Sequence, residues 1–325
     1  MSNNYPKPTD DLDKAKNDLK TSGYCLLLDA IPKTINENAK NRLIEQANAE
    51  KKLNLAFEDG SKTKKWGEFK VKKSKSFKSD DGGINQRIWM LPNKGKEFLN
   101  ILDNHKYFKI MKYIVGDHPI VSSFGANIAK KGGVRMDLHT DQWWAPDPVD
   151  REKDFLPTAS ITRKKFNYEI NKNVINNTDL IARPSVSNVL IMINGMTFEN
   201  GGTMVVPGSH LYGRHPEKKL DSDIKPIAAE GPPGCAIITD GRLWHGTGAN
   251  ITEEPRIAII ITFCGPQFRP QENYTYGLRK NLLKKLNDFQ KELLGFRVWN
   301  GYGRTGDPTQ NFIDTAEDPI GILKP

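Results

Sequence analysis

The stretch Val134-Arg135-Met136-Asp137-Leu138-His139-Thr140-Asp141-Gln142-Trp143-Trp144 places a histidine and an aspartate two residues apart in a segment that reads as extended. Residues i and i+2 of a strand point to the same face, so His139 and Asp141 can bind one metal ion together. Two histidines and one carboxylate, with open coordination positions, are a ligand set for Fe(II). A second histidine, distant in the sequence, is needed to complete it.

The chain contains six histidines, and the sequence around each decides whether it can be that ligand. His105 lies in a predicted helix and His118 directly precedes a proline, so we interpret both as surface or packing residues. His210 and His215 flank a turn rich in Pro and Gly, where a histidine usually forms loop hydrogen bonds. His245 lies in a short extended run after a turn bounded by glycine and is the best candidate for the third ligand.

Arg256 stands at the start of an otherwise apolar run, residues 257–263. A strand this hydrophobic is expected to be buried on both faces, and a buried guanidinium needs an anionic partner. A carboxylate bound through two parallel hydrogen bonds suits the planar guanidinium best. The sequence leaves two sources open, a carboxylate ligand or an acidic side chain of the protein such as Glu253 or Glu254.

The runs around this stretch predict a β-rich core. From residue 119 onward, short β-rich segments are separated by Gly, Pro and Asn, which is typical of a sandwich or barrel. The predicted strands are residues 120–129, 134–139, 185–193, 203–206, 236–239, 243–246 and 256–263. The polar segment 145–183 is long enough to be a lid or a binding loop.

The flanking regions are predicted to be mainly helical. Thr9 as an N-cap and Gly23 as a stop indicate a short first helix, and apolar spacing indicates helices over 32–52 and 96–115. Strands are expected at 24–28 and 87–90, a helical region at 272–294 and an irregular end at 295–325. We expect one domain, residues 1–325, with helices and strands in 1–118, the β core in 119–265 and a C-terminal helix and tail in 266–325.

Composition gives weaker indications about partners and compartment. The net charge of +9 mildly favours an anionic substrate or surface. Three cysteines without a C-x-x-C pair indicate reduced thiols, best interpreted as core residues. No N-terminal apolar segment and no bilayer-length apolar run occur, so a cytoplasmic protein with no membrane partner is expected. The lysine-rich segment 62–78 is interpreted as a solvated loop rather than a nucleic-acid patch.

Four ordered blocks of sequence carry a resemblance to a known family. The blocks are His139-x-Asp141, Phe198-Glu199-Asn200-Gly201-Gly202-Thr203-Met204-Val205-Val206-Pro207-Gly208-Ser209-His210, Trp244-His245-Gly246-Thr247-Gly248-Ala249-Asn250 and Arg256. Together they resemble the phytanoyl-CoA dioxygenase family of Fe(II)/2-oxoglutarate oxygenases. The likeness covers most of the chain, from Gly23-Tyr24 to Phe263.

The resemblance implies an α+β fold, with an all-β double-stranded β-helix (a cupin-like jelly roll) and N-terminal helices packed on one sheet. It implies Fe(II) bound by His139, Asp141 and His245, with no catalytic residue beyond these ligands. The implied contacts of the cosubstrate 2-oxoglutarate are Arg256, Thr247 and Thr203. His210 is expected to be structural, because it belongs to the Pro-Gly-Ser-His turn.

The implied activity is hydroxylation of a C–H bond of a small-molecule substrate by O2, with release of succinate and CO2. Asp141 favours hydroxylation or a related oxidation over halogenation, because related halogenases carry a small residue at this position. The candidate substrate-pocket residues are Gln142, Trp143, Trp144 and Trp89. Two alternatives stay open, an oxygenase acting on nucleic acid or protein and a non-redox jelly-roll metal protein. No sequence feature specifies the substrate or the oligomeric state.

Overall fold

The structure, a computed structural model, describes residues 5–67, 82–103, 105–142, 183–305 and 309–313. Several sequence predictions fall outside these ranges: the tryptophans Trp143 and Trp144, the insert up to residue 182, residues 68–78 of the lysine-rich segment and the end of the tail. Within the described ranges, no helix has both the length and the apolar character needed to cross a bilayer. The division of the chain into one domain with three consecutive parts stays a prediction.

Helices precede and follow the β core along the chain. Their bounds are α1 Leu12–Ser22, α2 Lys33–Lys52, α3 Lys96–Leu102, α4 His105–Val115, α5 Tyr274–Gly277, α6 Lys280–Leu283 and α7 Asp288–Leu293. The cap of α1 is Asp11 rather than the predicted Thr9, because the Asp11 side chain accepts hydrogen bonds from two amides of the first turn. The helix ends at Gly23, whose φ of 80° suits glycine, as the sequence predicted.

The strands form two antiparallel sheets. Their bounds are β1 Tyr24–Leu27, β2 Phe57–Asp59, β3 Asn85–Ile88, β4 Ile120–Ala129, β5 Val186–Met192, β6 Thr203–Val205, β7 Ile227–Ala228, β8 Ala236–Asp240, β9 His245–Thr247 and β10 Arg256–Cys264. The large sheet has the order β1-β8-β5-β10-β4-β3-β2, and the small sheet has the order β7-β6-β9. Neighbours in the sheets are therefore often distant in sequence, as in a jelly roll.

The large sheet separates two apolar cores. On its outer face, Ile259 of β10 belongs to a cluster that includes Leu43 of α2 and Phe108 of α4. On its inner face, Ala258 belongs to a cluster that includes Val205 of the small sheet. Burial of an aliphatic side chain of this size contributes about 1.5–3 kcal/mol. The predicted fold, a double-stranded β-helix with helices on one sheet, is confirmed, and the space between the two sheets is where a site can form.

Local differences from the predicted elements have physical causes. Residues 134–138 are not in a strand, and only His139 pairs there, in an isolated bridge to His245. The predicted strand 243–246 begins two residues later, because the Trp244 amide donates to the Ser209 hydroxyl in a turn. The region 272–294 divides into α5, α6 and α7. The strands β2 and β7 have three and two residues, too few for a period to be recognised in the sequence.

Candidate active site

The predicted metal ligands meet where residues 134–142 run beside β9. The His139 amide donates to the His245 carbonyl at 2.9 Å, and the His245 amide donates to the His139 carbonyl at 3.0 Å. The Asp141 carboxylate reaches both rings, with Oδ1 3.6 Å from His139 Nε2 and Oδ2 3.3 Å from His245 Nε2. One ligand atom from each residue lies within 4.8 Å of the others. The structure thus brings together the three side chains that the sequence selected.

Backbone carbonyls orient both imidazoles. His139 Nδ1 lies 3.2 Å from the Asp137 carbonyl oxygen, and His245 Nδ1 lies 3.0 Å from the Leu243 carbonyl oxygen. A proton on each Nδ1 satisfies these carbonyls and leaves the lone pair of Nε2 available on the side of Asp141. Two such nitrogens and a carboxylate fit a divalent transition metal ion by the chemistry of the donor set.

Asp141 is fixed by two hydrogen bonds. Its amide donates to the Gly241 carbonyl at 3.0 Å, and Oδ2 accepts from Asn188 Nδ2 at 2.5 Å. Asn188 lies in β5 and is 1% exposed. Because β5 belongs to the large sheet, this hydrogen bond attaches the Asp141 carboxylate to the large sheet, whereas His245 belongs to the small sheet.

Burial and mutual charge set the protonation of the cluster. Burial lowers the pKa of His139 to about 4, and the positive charges of His245 and Arg87 add to this effect. Burial alone would raise the pKa of Asp141, but the histidines and the Asn188 amide outweigh it and hold that pKa below its usual value. Burial would lower the pKa of His245, but Asp141 outweighs it and raises that pKa. At neutral pH the cluster therefore contains a carboxylate and a neutral His139, the forms that bind metals.

Arg256 is a buried cation at the first residue of β10. It is 2% exposed, and its Nε and Nη2 donate to the Gly201 carbonyl at 3.2 and 3.0 Å. Among the described residues no carboxylate pairs with it, and Glu253 pairs with Lys131 instead. Burial lowers the pKa of Arg256 to about 10, so the side chain is still charged at neutral pH. An internal salt bridge, one of the two sources left open by the sequence, is thus absent from the described part of the chain.

The two predicted threonines face each other across the small sheet. Thr203 pairs directly with Thr247, and Val205 pairs with His245, so all four side chains lie on one face. The Thr203 hydroxyl is buried and contacts the sulfur of Met196 at 3.8 Å. Thr247 is half-buried two residues after His245, at the end of β9.

The predicted substrate-pocket residues have different surroundings. Trp89 is half-buried, and its ring meets Phe57 edge-on at a centroid distance of 6.4 Å. Gln142 is fully buried, its Nε2 donates to the Arg183 carbonyl and its Oε1 accepts from the Ser185 amide. Both ends of the Gln142 amide are therefore occupied by backbone groups, and its place in the substrate pocket stays a prediction. Its contacts join the two ends of the chain that flank residues 143–182.

Sequence reasoning missed Asn188 and Arg87. Asn188 interrupts the apolar run 186–192, and Arg87 stands between Gln86 and Ile88 of β3. The argument applied to Arg256, that a polar residue in a buried strand needs a partner, would have singled out Asn188. Arg87 gave no such signal, because its strand is short and polar.

Comparison with known proteins places this site in a family. The sequence profile of phytanoyl-CoA dioxygenase (PhyH) matches residues 21–258, a range that contains the His-Asp-His cluster, both threonines and Arg256. The chain belongs to the phytanoyl-CoA dioxygenase family. The resemblance inferred from the four sequence blocks is confirmed.

Curated relatives of this phytanoyl-CoA dioxygenase family protein include fungal dioxygenases. It is 29% identical to "Dioxygenase af480" of Aspergillus fumigatus over 231 residues, which are 71% of this chain and 64% of that protein. It is 33% identical to "Dioxygenase andF" of Emericella variicolor over 113 residues, 35% of this chain and 39% of that protein. The matched regions thus span less than two thirds of the length of these relatives.

Solved structures support the fold of this family member. HygX from Streptomyces hygroscopicus, with nickel and 2-oxoglutarate bound, aligns with a TM-score of 0.52 at 14% identity, covering 79% of this chain and 88% of HygX. EctD from S. alaskensis, with bound Fe, aligns with a TM-score of 0.51 at 16% identity, covering 82% of this chain and 79% of EctD. At these identities the likeness concerns the fold.

Proposed function

We propose that this phytanoyl-CoA dioxygenase family protein is an Fe(II)/2-oxoglutarate-dependent dioxygenase that hydroxylates a C–H bond of a small molecule. The fungal relatives named above are dioxygenases by name, and the HygX and EctD structures hold a metal, in HygX together with 2-oxoglutarate. The cofactors are then Fe(II), 2-oxoglutarate as cosubstrate and O2. Succinate and CO2 are the coproducts of hydroxylation.

The residues present fit these groups. His139, Asp141 and His245 would hold the metal, since their ligand atoms lie within 4.8 Å of one another. When bound, iron and 2-oxoglutarate supply the oxidising chemistry that no side chain of the protein provides. Arg256 would bind the distal carboxylate of 2-oxoglutarate, and the Thr247 hydroxyl would contact the same group. Thr203 stays a predicted contact.

The observation that carries the proposal is the unpaired charge of Arg256. The described contacts of this buried guanidinium are hydrogen bonds to one backbone carbonyl. The free-energy cost of removing its charge from water is therefore not offset by a negative charge of the described residues. The strand β10 places this cation on the same inner face as Ala258, between the two sheets. A dianionic cosubstrate beside the metal cluster supplies the missing charge.

The test uses the anaerobic protein with Fe(II) and 2-oxoglutarate. A visible charge-transfer band is expected for the wild type, since the cosubstrate chelates the metal. The variant Arg256→Ala is expected to bind 2-oxoglutarate about 100-fold more weakly, because two charge-assisted hydrogen bonds are lost. Arg279→Ala, at an exposed arginine, is the matched control. Absence of the band in the wild type would contradict the proposal.

The same experiment separates the alternatives. A non-redox metal protein has no need of Arg256 and would give no 2-oxoglutarate band. An oxygenase acting on nucleic acid rests on the lysine-rich segment 62–78, of which the structure describes residues 62–67. Salt-dependent DNA or RNA binding that disappears when these lysines are neutralised would favour that alternative. The predicted cytoplasmic location stays a prediction.

A further inference from the structure

A long connection joins β6 to β7. It runs from residue 206 to residue 226 and contains a short 3₁₀ helix, Ser209–Leu211. Loops of this length inside a compact domain usually have a function of their own. The candidate site described above uses none of the side chains of this β6–β7 connection.

An ion pair folds the β6–β7 connection into a rigid unit. Arg214 donates two hydrogen bonds to the Asp221 carboxylate, at 2.7 and 2.8 Å, and the two side chains are only 4% and 7% exposed. Asp221 also accepts a hydrogen bond from the Glu217 amide at 2.7 Å. The Arg214 guanidinium donates in addition to the His215 carbonyl at 3.2 Å. Because a bidentate pair of this kind has a defined geometry, the backbone at His215 is fixed.

The β6–β7 connection holds Trp244, the residue before the candidate ligand His245. The Trp244 amide donates to the Ser209 hydroxyl at 2.8 Å, and the indole nitrogen donates to the Arg214 carbonyl at 2.9 Å. The Arg214 guanidinium lies over the indole ring, with Cζ 4.7 Å from the ring centroid. Trp244 is fully buried, so these contacts fix the chain directly before His245.

The same connection reaches the segment that carries the other two candidate ligands. Thr140 lies between His139 and Asp141 and is 2% exposed. Its hydroxyl lies 2.9 Å from His215 Nδ1 and 3.4 Å from the Gln142 carbonyl oxygen. These two contacts link His215 to the residues on both sides of Asp141.

We propose that His215 is a positioning residue for the metal ion. Its hydrogen bond to Thr140 keeps the neighbouring ligands, His139 and Asp141, in the orientation in which they bind the ion. This inference rests on the proposed function, because it assumes that the candidate cluster binds the ion. His215 is not one of the three clustered residues whose ligand atoms lie within 4.8 Å of one another. It acts as hydrogen-bonded partners of metal ligands do, by holding the ligand set in place.

Burial distinguishes this contact from a second one between the same two segments. Lys218 Nζ lies 3.5 Å from Asp137 Oδ1, but both side chains are 83% exposed, and such ion pairs contribute little. The Thr140 hydroxyl is buried, and loss of its partner at 2.9 Å leaves the longer contact to the Gln142 carbonyl. Because a buried polar group that loses a hydrogen bond carries a cost in free energy, the segment shifts or rotates to recover one. The His215 contact is therefore the one that controls the ligand geometry.

The test is a double-mutant cycle on the affinity for Fe(II), measured by anaerobic calorimetric titration. The proteins are the wild type, Thr140→Val, His215→Ala and the double variant. Each single variant is expected to weaken Fe(II) binding by about tenfold. The double variant should bind Fe(II) no more weakly than the single variants, because both substitutions remove the same hydrogen bond. Losses that multiply to about 100-fold in the double variant would overturn the proposal.

A conservative variant separates positioning from a role in the fold alone. In His215→Asn the side-chain amide can hydrogen-bond to Thr140 from the place of Nδ1, so the Fe(II) affinity should return to within about threefold of the wild type. The visible band of the Fe(II)–2-oxoglutarate complex should shift in His215→Ala and return in His215→Asn, since the ligands change orientation. The free energy of unfolding of the metal-free protein is measured for each variant. A loss of stability without a loss of Fe(II) affinity, or no recovery in His215→Asn, would assign His215 to the fold alone.

The controls make each outcome decisive. Thr140→Val keeps the shape of the side chain, so its Fe(II) affinity tests the hydrogen bond even if His215→Ala does not fold. Lys219→Ala, at an exposed lysine of the same connection, should behave as the wild type. Absence of Fe(II) binding in the wild type overturns the proposed function. Wild-type binding that is unaffected in Thr140→Val and His215→Ala overturns the role of His215 and leaves the proposed function standing.

Discussion

Asn188 fixes the orientation of the Asp141 carboxylate in the candidate metal site. Its side-chain amide donates to Oδ2 at 2.5 Å and reaches the Thr239 hydroxyl at 3.5 Å. A carboxylate ligand that is held by a neighbouring donor keeps one orientation, and loss of such a partner typically weakens metal binding by about 10–100-fold. Asn188 would act on a bound ion through Asp141, since it is not one of the three clustered candidate ligands.

Replacement of Asn188 by alanine is expected to weaken Fe(II) binding by about 10–100-fold, because Asp141 loses its only described side-chain donor outside the histidines. Anaerobic calorimetric titration with Fe(II) measures the affinity. Ser187→Ala is the matched control: this buried neighbour on β5 donates to the Thr239 carbonyl at 2.6 Å from the opposite face of the strand. Equal Fe(II) affinities in the two variants would show that the contact is unimportant for the metal.

Two other arginines of this protein have their charge compensated by an aspartate of the same chain. Arg214 forms two hydrogen bonds with Asp221, at 2.7 and 2.8 Å, and Arg242 is held in the same way by Asp240. Arg256 is at least as buried and has no such partner among the described residues. The contrast supports a ligand, since the same chain pairs its structural arginines with aspartates.

At the scale of elements, Glu272 joins three parts of the fold. Its carboxylate accepts hydrogen bonds from the Met90 amide after β3 at 2.7 Å, from the Phe124 amide of β4 at 2.8 Å and from the Tyr274 hydroxyl of α5. Three donors point to one carboxylate, so both of its oxygens are needed. Glu272 thereby attaches the C-terminal helices to the half of the large sheet that carries Arg87.

The variant Glu272→Gln is expected to lower the free energy of unfolding by about 1–3 kcal/mol, because the amide nitrogen of glutamine cannot accept a hydrogen bond and leaves one donor unpaired. Urea unfolding at neutral pH measures the change. Glu45→Gln, on the exposed side of α2, removes the same charge without removing a buried acceptor and should change stability by less than about 0.5 kcal/mol. Similar losses in both variants would mean that charge, and not the acceptor geometry, is responsible.

At the scale of the whole molecule, the candidate site couples the two sheets. His245 lies on β9 of the small sheet, Asn188 holds Asp141 from β5 of the large sheet, and the segment 134–142 lies between them. A metal ion bound by His139, Asp141 and His245 therefore binds the folded chain and has no comparable site in the unfolded one. Binding of the ion should stabilise the entire fold.

Fe(II) added anaerobically at about 100 times its dissociation constant is expected to raise the free energy of unfolding by about 2.7 kcal/mol. Denaturant unfolding with and without the ion measures this gain. In His245→Ala the gain should be lost, while His118→Ala, at an exposed histidine paired with Glu292, should retain it. A gain that persists in His245→Ala would place the stabilising ion elsewhere.

The sequence by itself identified the three candidate metal ligands and the buried arginine of the candidate site. His139 and Asp141 are two residues apart, His245 follows a glycine-bounded turn, and Arg256 begins an apolar strand, so each was recognisable from local spacing and chemistry. The long central strands of the sheet, β4 and β10, were also predicted to within one residue. Their apolar runs are long enough to identify a buried strand without knowledge of its neighbours.

Only the tertiary structure decided which other polar residues face the site. Arg87, Asn127 and Asn188 share the inner face because of the register between strands that are distant in the chain, and a shift of one residue would turn each to the other side. Gln142 shows the converse: it follows the metal ligands directly, yet packing turns its amide toward residues 183–185. Local spacing in the sequence shows which side-chain chemistry is present, whereas the pairing of strands distant in the chain decides which face of the sheet each side chain occupies.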